Sequence, residues 1–397
     1  MKTPFFLISE ERLRANVNDY IEALALIWPN SQLSYSVKTN SLPWLLQYMH
    51  KQNVYAEVVS DEEYDLAKMC GYTDGQIVFN GPIKSADYLQ KAIKGGSLVN
   101  LDSESDLDTF FSMEISDIAN IGIRVNVDVS KFDSSDIGYT ENGFRFGFCE
   151  ENGQLAHVMD RIRKHFPNQS FGLHFHCNSV TRSLGVYETI SSYANNIIQK
   201  YKLTPSYIDM GGGFFGGVEG KPTARQYISL IREILAKTVD IDKTKLVLEP
   251  GSAIIGSVVD LHTSVLDAKE MERARIVTTD GSRVHIDPLW AKSRYMYSVE
   301  SKSKTVVSKQ VICGYTCMDH DRLMVLNDEK QLSIGDRIIY HRVGAYSTTF
   351  GGMFIRYLPD VYVEHLDGGC EKIRSRTSVE QYYRLQSYNE KCNSEKV

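Results

Sequence analysis

Eight short strand-like runs alternate with helical stretches between Leu33 and Glu249, and this alternation constrains the fold more than any other property of the chain. The runs are Leu33–Val37, Val54–Val59, Gln76–Asn80, Ser97–Leu101, Ile121–Val127, Phe171–His176, Ser206–Met210 and Lys245–Glu249. Each has the length and the β-branched, aromatic or aliphatic content of a buried strand. Helical signals separate them. Leu42–Met49 carries Pro43 near its first turn, where a missing N–H costs little. Ser60-Asp-Glu-Glu63 resembles a capping box. A helix runs through Tyr88 and Ile93, another is entered at Asp102 or Ser103, and helical periodicity covers 182–202 and 222–238. Eight strands alternating with helices is the pattern of a (β/α)8 TIM barrel.

Past about residue 255 the pattern changes to short strands separated by turns: Ala253–His262, Arg275–Thr279, Lys309–Cys313, Arg322–Leu326 and Asp336–Tyr340. The opening Phe5–Ile8 is also strand-like and is expected to join them. The expected organisation is therefore a barrel over 10–254 and a β-rich domain from 1–9 and 255–397. The polar tail after Thr377 reads as one helix.

Composition narrows the class of function. With 42% hydrophobic and 24% charged residues in 397, the chain reads as an ordinary soluble globular protein. A formal net charge of −6 repels phosphate and argues against nucleic-acid or anionic-membrane surfaces. No stretch approaches the roughly 20 apolar residues of a membrane span, and the first residues lack a signal-peptide core. Seven cysteines without CxxC spacing suggest reduced thiols in a cytoplasmic protein, with no disulfide or metal framework expected. Cys313 and Cys317 stand four apart, without a second ligand pair nearby.

Barrel enzymes keep their chemistry at the carboxyl ends of the strands. Here those ends offer Lys38, Glu57, Asn80, Asp102, Arg124, His176, Gly211-Gly212-Gly213 and Glu249. Singly, each has a plain explanation. Lys38 alone reads as a strand-end lysine snorkelling into solvent, Glu57 as a helix cap, Arg124 as a rim ion pair, and His176 as a satisfied core histidine. The glycine triplet is harder to dismiss. Adjacent glycines after the seventh strand let backbone N–H groups converge on an anion, at the usual phosphate position of this fold. A lysine that can attack a carbonyl, a phosphate cradle, a histidine and a strand-end acid together form the parts list for pyridoxal 5'-phosphate.

In this order and spacing the motifs resemble those of the fold type III pyridoxal-phosphate decarboxylases, the ornithine, diaminopimelate and arginine decarboxylase family. Val37-Lys38-Thr-Asn40 with Pro43 resembles the cofactor-lysine motif, and Glu57-Val-Val-Ser60 with Glu63 the second-strand motif. Phe144-Arg-Phe-Gly147, His174-Phe-His176 with Ser179, Asp209-Met-Gly-Gly-Gly213 and Glu249-Pro-Gly251 follow in family order. So do Asp280-Gly281, Cys313-Gly-Tyr-Thr-Cys317 with Asp321, and Gly344-Ala-Tyr-Ser347. The resemblance implies an alanine racemase-like barrel with a C-terminal β-domain, in a homodimer whose sites are each completed by the partner subunit. It also implies roles. Lys38 carries the cofactor as a Schiff base, Glu249 pairs with the pyridine nitrogen, and His176 stacks on the ring. Ser179, Gly211, Gly212, Gly213 and Tyr346 bind the phosphate, while Glu57, Arg124 and Gly251 complete the cofactor site. Cys317 acts as proton donor, and Asp280, Met318 and Asp321 face the substrate.

Two departures bear on the substrate. Ser252 follows Glu249-Pro-Gly251 where the family usually has arginine, and Met318 follows Cys317 where diamine-forming members carry an acid. Asn178 also replaces a usual glycine before Ser179. Without that acid a distal ammonium loses its charge partner, at a cost of several kcal/mol if buried. The expected activity is decarboxylation of an amino acid in modified, conjugated or carrier-linked form, as in secondary metabolism. The alternatives on the same fold are a racemase or epimerase, and a non-catalytic regulatory relative; a retained Lys38 argues against the last.

Overall fold

The computed structural model of the protein describes residues 1–138, 141–292 and 294–387. It divides into two compact units, one formed by 12–257 and the other by 1–11 with the residues from 258 onward.

The first unit is a closed parallel barrel. Its strands are Ser31–Ser36, Tyr55–Val58, Ile77–Phe79, Leu98–Leu101, Ile121–Asn126, Gly172–Phe175, Tyr207–Asp209 and Lys245–Leu248. Neighbours pair in sequence order, and the eighth returns to pair with the first, Leu246 opposite Ser31. Closure leaves no free edge, so the interior positions fill with one another's side chains. Tyr207 illustrates how. Its buried ring packs with Val78, Leu98 and Val247. It occupies the space that Gly122 and Gly172 leave open on neighbouring strands: a Cβ at either would meet it at 2.3 and 2.1 Å.

The strand ends differ from the sequence reading in one place that matters. The first strand closes at Ser36, and Lys38 lies in the 3-10 turn Val37–Thr39, closed by Asn40 N–H donating to Val37 O at 3.1 Å. The turn reverses the chain from the barrel rim into the helix Pro43–Lys51, which opens on its proline. Helices elsewhere begin on the side chains that sequence suggests. Ser60, Ser103 and Thr223 each accept from the backbone N–H three residues on, satisfying a donor the helix cannot.

In the second unit, the strand Phe5–Ser9 is central. It pairs antiparallel with Val259–Glu270 and parallel with Asp360–Glu364. Arg275–Thr279, Val306–Cys313 and Arg322–Lys330 extend the sheet beyond Val259–Glu270, and Arg337–His341 also pairs with that long strand. Ala253–His262 is not one strand. Ser252–Ile255 forms a single helical turn, held by Asn16 donating to Ile254 O at 2.9 Å, before the strand begins at Val259. Met296–Glu300, Asp360–Glu364 and Cys370–Arg374 are strands the sequence reading did not mark. The expected tail helix is present at Val379–Gln386; Cys392 and the end of that tail lie outside the described residues. No helix among the described residues is long and apolar enough to cross a membrane.

Candidate active site

Lys38 meets Glu57 at the barrel mouth. Its Nζ donates to both carboxylate oxygens, at 2.8 and 3.1 Å, from a side chain 41% exposed to an acid that is 1% exposed. Ser36 donates to the same carboxylate at 2.5 Å and Asn80 at 3.1 Å. Burial alone would raise the Glu57 pKa, but the Lys38 charge and these donors outweigh it and hold the acid ionised. The cation of the 3-10 turn is thus anchored to a fixed counter-ion while its amine stays reachable from the mouth.

Behind this pair lies a second acidic couple. Asn80 donates its other N–H to Glu249 Oε1 at 2.7 Å. Asn100 donates to Asn80 Oδ1 at 2.8 Å and to Asp209 Oδ2 at 2.9 Å, and Tyr207 donates to Asn100 Oδ1 at 2.9 Å. Asp209 also accepts Gly211 N–H at 2.9 Å. Glu249 is fully enclosed, and burial together with the charges of Asp209 and Glu57 raises its pKa well above the carboxylate range. Burial likewise lifts Asp209 to about 6, with the Glu249 hydrogen bond opposing it. Two acids this close in a dry site share one proton, and the two donors on Asp209 favour its charged form, which leaves the proton on the side of Glu249. His174 lies near the couple, its Nε2 3.9 Å from Glu249 Oε2, and burial keeps its ring neutral.

The rim carries the remaining pieces. His176 runs nearly parallel to His174, at an interplanar angle of 9°. Crowding by the surrounding protein, then the charge of Arg124, pushes it down to about 3, so it offers a neutral flat face. Arg124 pairs with Asp102 at 2.8 Å and lies 4.6 Å from the Phe146 ring centre, while Asp102 takes Gly147 N–H at 3.0 Å. These contacts fold the loop after the fifth strand back over the rim. The glycine loop is tethered by Tyr187 O–H donating to Gly212 O at 2.7 Å. Gly211 sits at φ +61°, and a Cβ there would lie 2.6 Å from the His176 ring; one at Gly212 would lie 2.4 Å from Glu249 O. The positive φ at Gly211 and these close approaches to the protein itself reserve both positions for glycine.

The barrel therefore brings together Lys38, Glu57, Arg124, His176, Gly211, Gly212, Gly213, Glu249 and Gly251, with Ser179 on the loop after the sixth strand. Cys317, Met318, Asp321, Asp280 and Tyr346 belong to the β-rich unit. There Cys317 is exposed and Met318 half-buried. Tyr346 stands at φ +61°, its ring against Phe350. Asp321 and Asp280, which the resemblance places at the substrate, both have internal partners. Asp321 is buried and accepts from Ser282, Thr316 and the Arg283 N–H, at 2.8, 2.7 and 3.1 Å. It ties its own loop to the turn at Ser282. Asp280 is buried and accepts Ser264 N–H at 2.7 Å, a strand-to-strand tie.

Asn100, Asp209 and His174 were passed over as site residues, although an asparagine inside Leu98-Val-Asn-Leu101 is a polar group in an otherwise apolar strand and signals a buried partner. Lys84 was also missed. It is wholly buried, bound to Asp106 and to Gly81 O, both at 2.8 Å, so it secures the loop after the third strand.

The barrel residues suit pyridoxal phosphate on structural grounds. A reachable amine, a glycine-only backbone turn, a neutral ring and a buried acid match its aldehyde, phosphate, ring face and pyridine nitrogen. When bound, the cofactor supplies an electron sink for the bond broken at the substrate's α-carbon. Comparisons with known proteins agree. Residues 11–256 match the family described as pyridoxal-dependent decarboxylase, pyridoxal binding domain. A diaminopimelate decarboxylase of Archaeoglobus fulgidus is 26% identical over 89% of this chain and 85% of its own length. An L-glutamyl-[BtrI acyl-carrier protein] decarboxylase of Niallia circulans is 25% identical over 98% of this chain and 95% of its own. The fold matches that of M. jannaschii diaminopimelate decarboxylase in complex with L-lysine, at TM-score 0.83 and 22% identity over 98% and 92% of the two chains. With the family matched across the whole barrel, the chain belongs to the pyridoxal-dependent decarboxylases, enzymes that use pyridoxal phosphate to remove the carboxylate of an amino acid.

Proposed function

We propose that this decarboxylase acts on an α-amino acid whose distal end is conjugated, in the manner of a carrier-bound acyl group, and carries no free ammonium. The observation behind this reading is the state of the acids beside Cys317. Met318 supplies no charge, Asp321 is taken up by Ser282, Thr316 and the Arg283 N–H, and Asp319 pairs with Arg322 at 2.8 Å. A free lysine-like tail brought there would lose water without gaining a partner. The Niallia circulans relative, whose name specifies a glutamyl group on an acyl-carrier protein, supports the same direction.

In this reading Lys38 holds the cofactor and Glu57 keeps the lysine's charge fixed until it is engaged. Glu249 meets the pyridine nitrogen, His176 lies against the ring, and Gly211–Gly213 receive the phosphate with Ser179 and Tyr346. Cys317 of one subunit serves its partner's site in a homodimer, as proton donor to the α-carbon. The test is CO2 release from diaminopimelate, ornithine, lysine and a glutamyl-carrier thioester under identical conditions. The thioester is expected to be turned over best. Efficient use of any free diamino acid, in the range of about 10⁴–10⁸ M⁻¹s⁻¹ usual for enzymes, refutes the conjugated-substrate reading and leaves decarboxylation intact.

A further inference from the structure

The amide chain beneath the site has a direction that chemistry alone determines. Asn80 spends both N–H hydrogens on carboxyl oxygens, one on Glu57 Oε1 at 3.1 Å and one on Glu249 Oε1 at 2.7 Å. Turning the amide over would aim its oxygen at two acids, and its oxygen is already held by Asn100 Nδ2 at 2.8 Å. Asn100 cannot turn over either, because Tyr207 O–H donates to its oxygen at 2.9 Å and its own N–H groups serve Asn80 and Asp209. All three side chains are buried, away from competing water.

We infer that Asn80 is a positioning residue: it confines the Glu249 proton to Oε2, and it keeps Oε1 as an acceptor that steadies the carboxylate once that proton has left. The inference rests on the reading that Glu249 meets the pyridine nitrogen. The carbonyl-type oxygen of an acid is the better acceptor, so the Asn80 N–H favours Oε1 in that role and leaves the hydrogen on Oε2. Asp209 accepts on both of its oxygens, from Gly211 N–H and from Asn100, which favours its charged form and leaves the shared proton on the side of Glu249. Transfer from Oε2 to a ring nitrogen moves one proton and breaks no other bond. The charge left behind then receives a charge-assisted hydrogen bond from Asn80, stronger than the neutral one it replaces. Through the same amide, Glu57 and its Lys38 partner stand one residue away from Glu249, so the two ends of the cofactor site share one rigid donor.

The experiment loads ¹⁵N-ring-labelled pyridoxal phosphate into the wild type, Asn80→Ala, Asn80→Ser and Glu249→Gln proteins, and records the ring-nitrogen resonance and the cofactor dissociation constant. A protonated signal is expected in the wild type. Asn80→Ala should shift it toward the unprotonated position and weaken cofactor binding about 10- to 100-fold, the worth of a hydrogen bond to a charged group. Serine, which keeps one donor, should fall between. Stability loss with an unchanged ring-nitrogen signal overturns the inference and makes Asn80 merely structural. If only the Asn80 variants are silent, this inference alone falls; if Glu249→Gln is silent too, the assignment of Glu249 falls with it. Because the alanine variant can fail to fold, the cofactor-free wild type provides a second check. Its infrared spectrum should show a protonated-carboxyl stretch that Glu249→Gln removes, and a band surviving in that variant places the proton elsewhere and overturns the inference.

Discussion

Replacing Gly172 by alanine is expected to destabilise the barrel severely for so small a change, and to disturb the site through a residue that never touches a ligand. The new Cβ would lie 2.1 Å from Tyr207 Cζ and 2.2 and 2.5 Å from its Cε atoms. Carbon atoms in contact sit about 3.5–4.0 Å apart, so the ring must retreat by more than an ångström. It has nowhere to go, being walled in by Val78, Leu98 and Val247. Overpacking of this kind costs about 1–3 kcal/mol. The retreat also breaks the 2.9 Å bond to Asn100, stranding a buried donor and acceptor for about 1–3 kcal/mol more. A gain of about 0.4–1 kcal/mol from a stiffer unfolded chain offsets part of this. The net expectation is about 2–5 kcal/mol, read as a fall in the urea midpoint of the barrel transition by circular dichroism. Tyr207→Leu in the same chain makes room for the methyl, so the double variant should cost less than the two single changes added. An unchanged midpoint for Gly172→Ala, or strict additivity in the double variant, refutes the packing account.

Further outcomes follow from the site. Lys38→Ala should abolish both turnover and the absorbance of lysine-bound cofactor; an adduct to protein that borohydride still reduces in that variant would overturn the assignment. Met318→Glu should raise the relative kcat/KM for a free diamino acid, by about 1–3 kcal/mol in discrimination if the new acid reaches the ammonium, and steady-state kinetics on ornithine and diaminopimelate decide it. Mixing inactive Lys38→Ala with inactive Cys317→Ala protein should restore part of the activity through heterodimers with one intact site; no recovery after verified subunit exchange counts against a shared site. Burial raises Glu63 to about 7 in the folded protein, from an ordinary value of 4.5. Between those values the folded state holds a proton the unfolded state has lost, so stability should fall as pH rises from about 4.5 to 7, by at most about 3 kcal/mol before solvent screening. Glu63→Gln should flatten that slope in urea melts, and an unaltered slope rules the group out as its source.

The barrel was legible because its strands are enclosed on both faces and read as apolar runs with polar ends. Lys38, Glu57, His176 and Glu249 stood out because each is a chemical group at such an end. What escaped were residues whose meaning depends on partners far away in sequence. Asn100 acquires its role from Asn80, Asp209 and Tyr207, three strands contributing to one contact set that no local spacing encodes. The partners of Asp321 were hidden for the related reason that its donors, Ser282 and Thr316, come from separate loops. Two of the three unmarked strands of the β-rich unit, Met296–Glu300 and Cys370–Arg374, are largely exposed, and in Asp360–Glu364 the apolar run is only three residues between two acids, which weakens the periodic signal.

The central strand Phe5–Ser9 has a consequence for how the chain reaches its native state. Its end is bonded to the start of a strand almost 250 positions later, Ser9 N–H donating to Val258 O at 3.0 Å, and just inside the barrel Arg12 Nη1 donates to Ser257 O at 3.1 Å. Closing so long a segment while it is unstructured costs about 5 kcal/mol beyond the constant for initiating a loop. A barrel that has already formed holds its two ends side by side and removes most of that entropy. The strand Phe5–Ser9 is therefore expected to be among the last to dock, waiting on both the barrel and its neighbour Asp360–Glu364. Until then it is an unpaired apolar edge, and the interval before docking is when the chain is most exposed to misassociation.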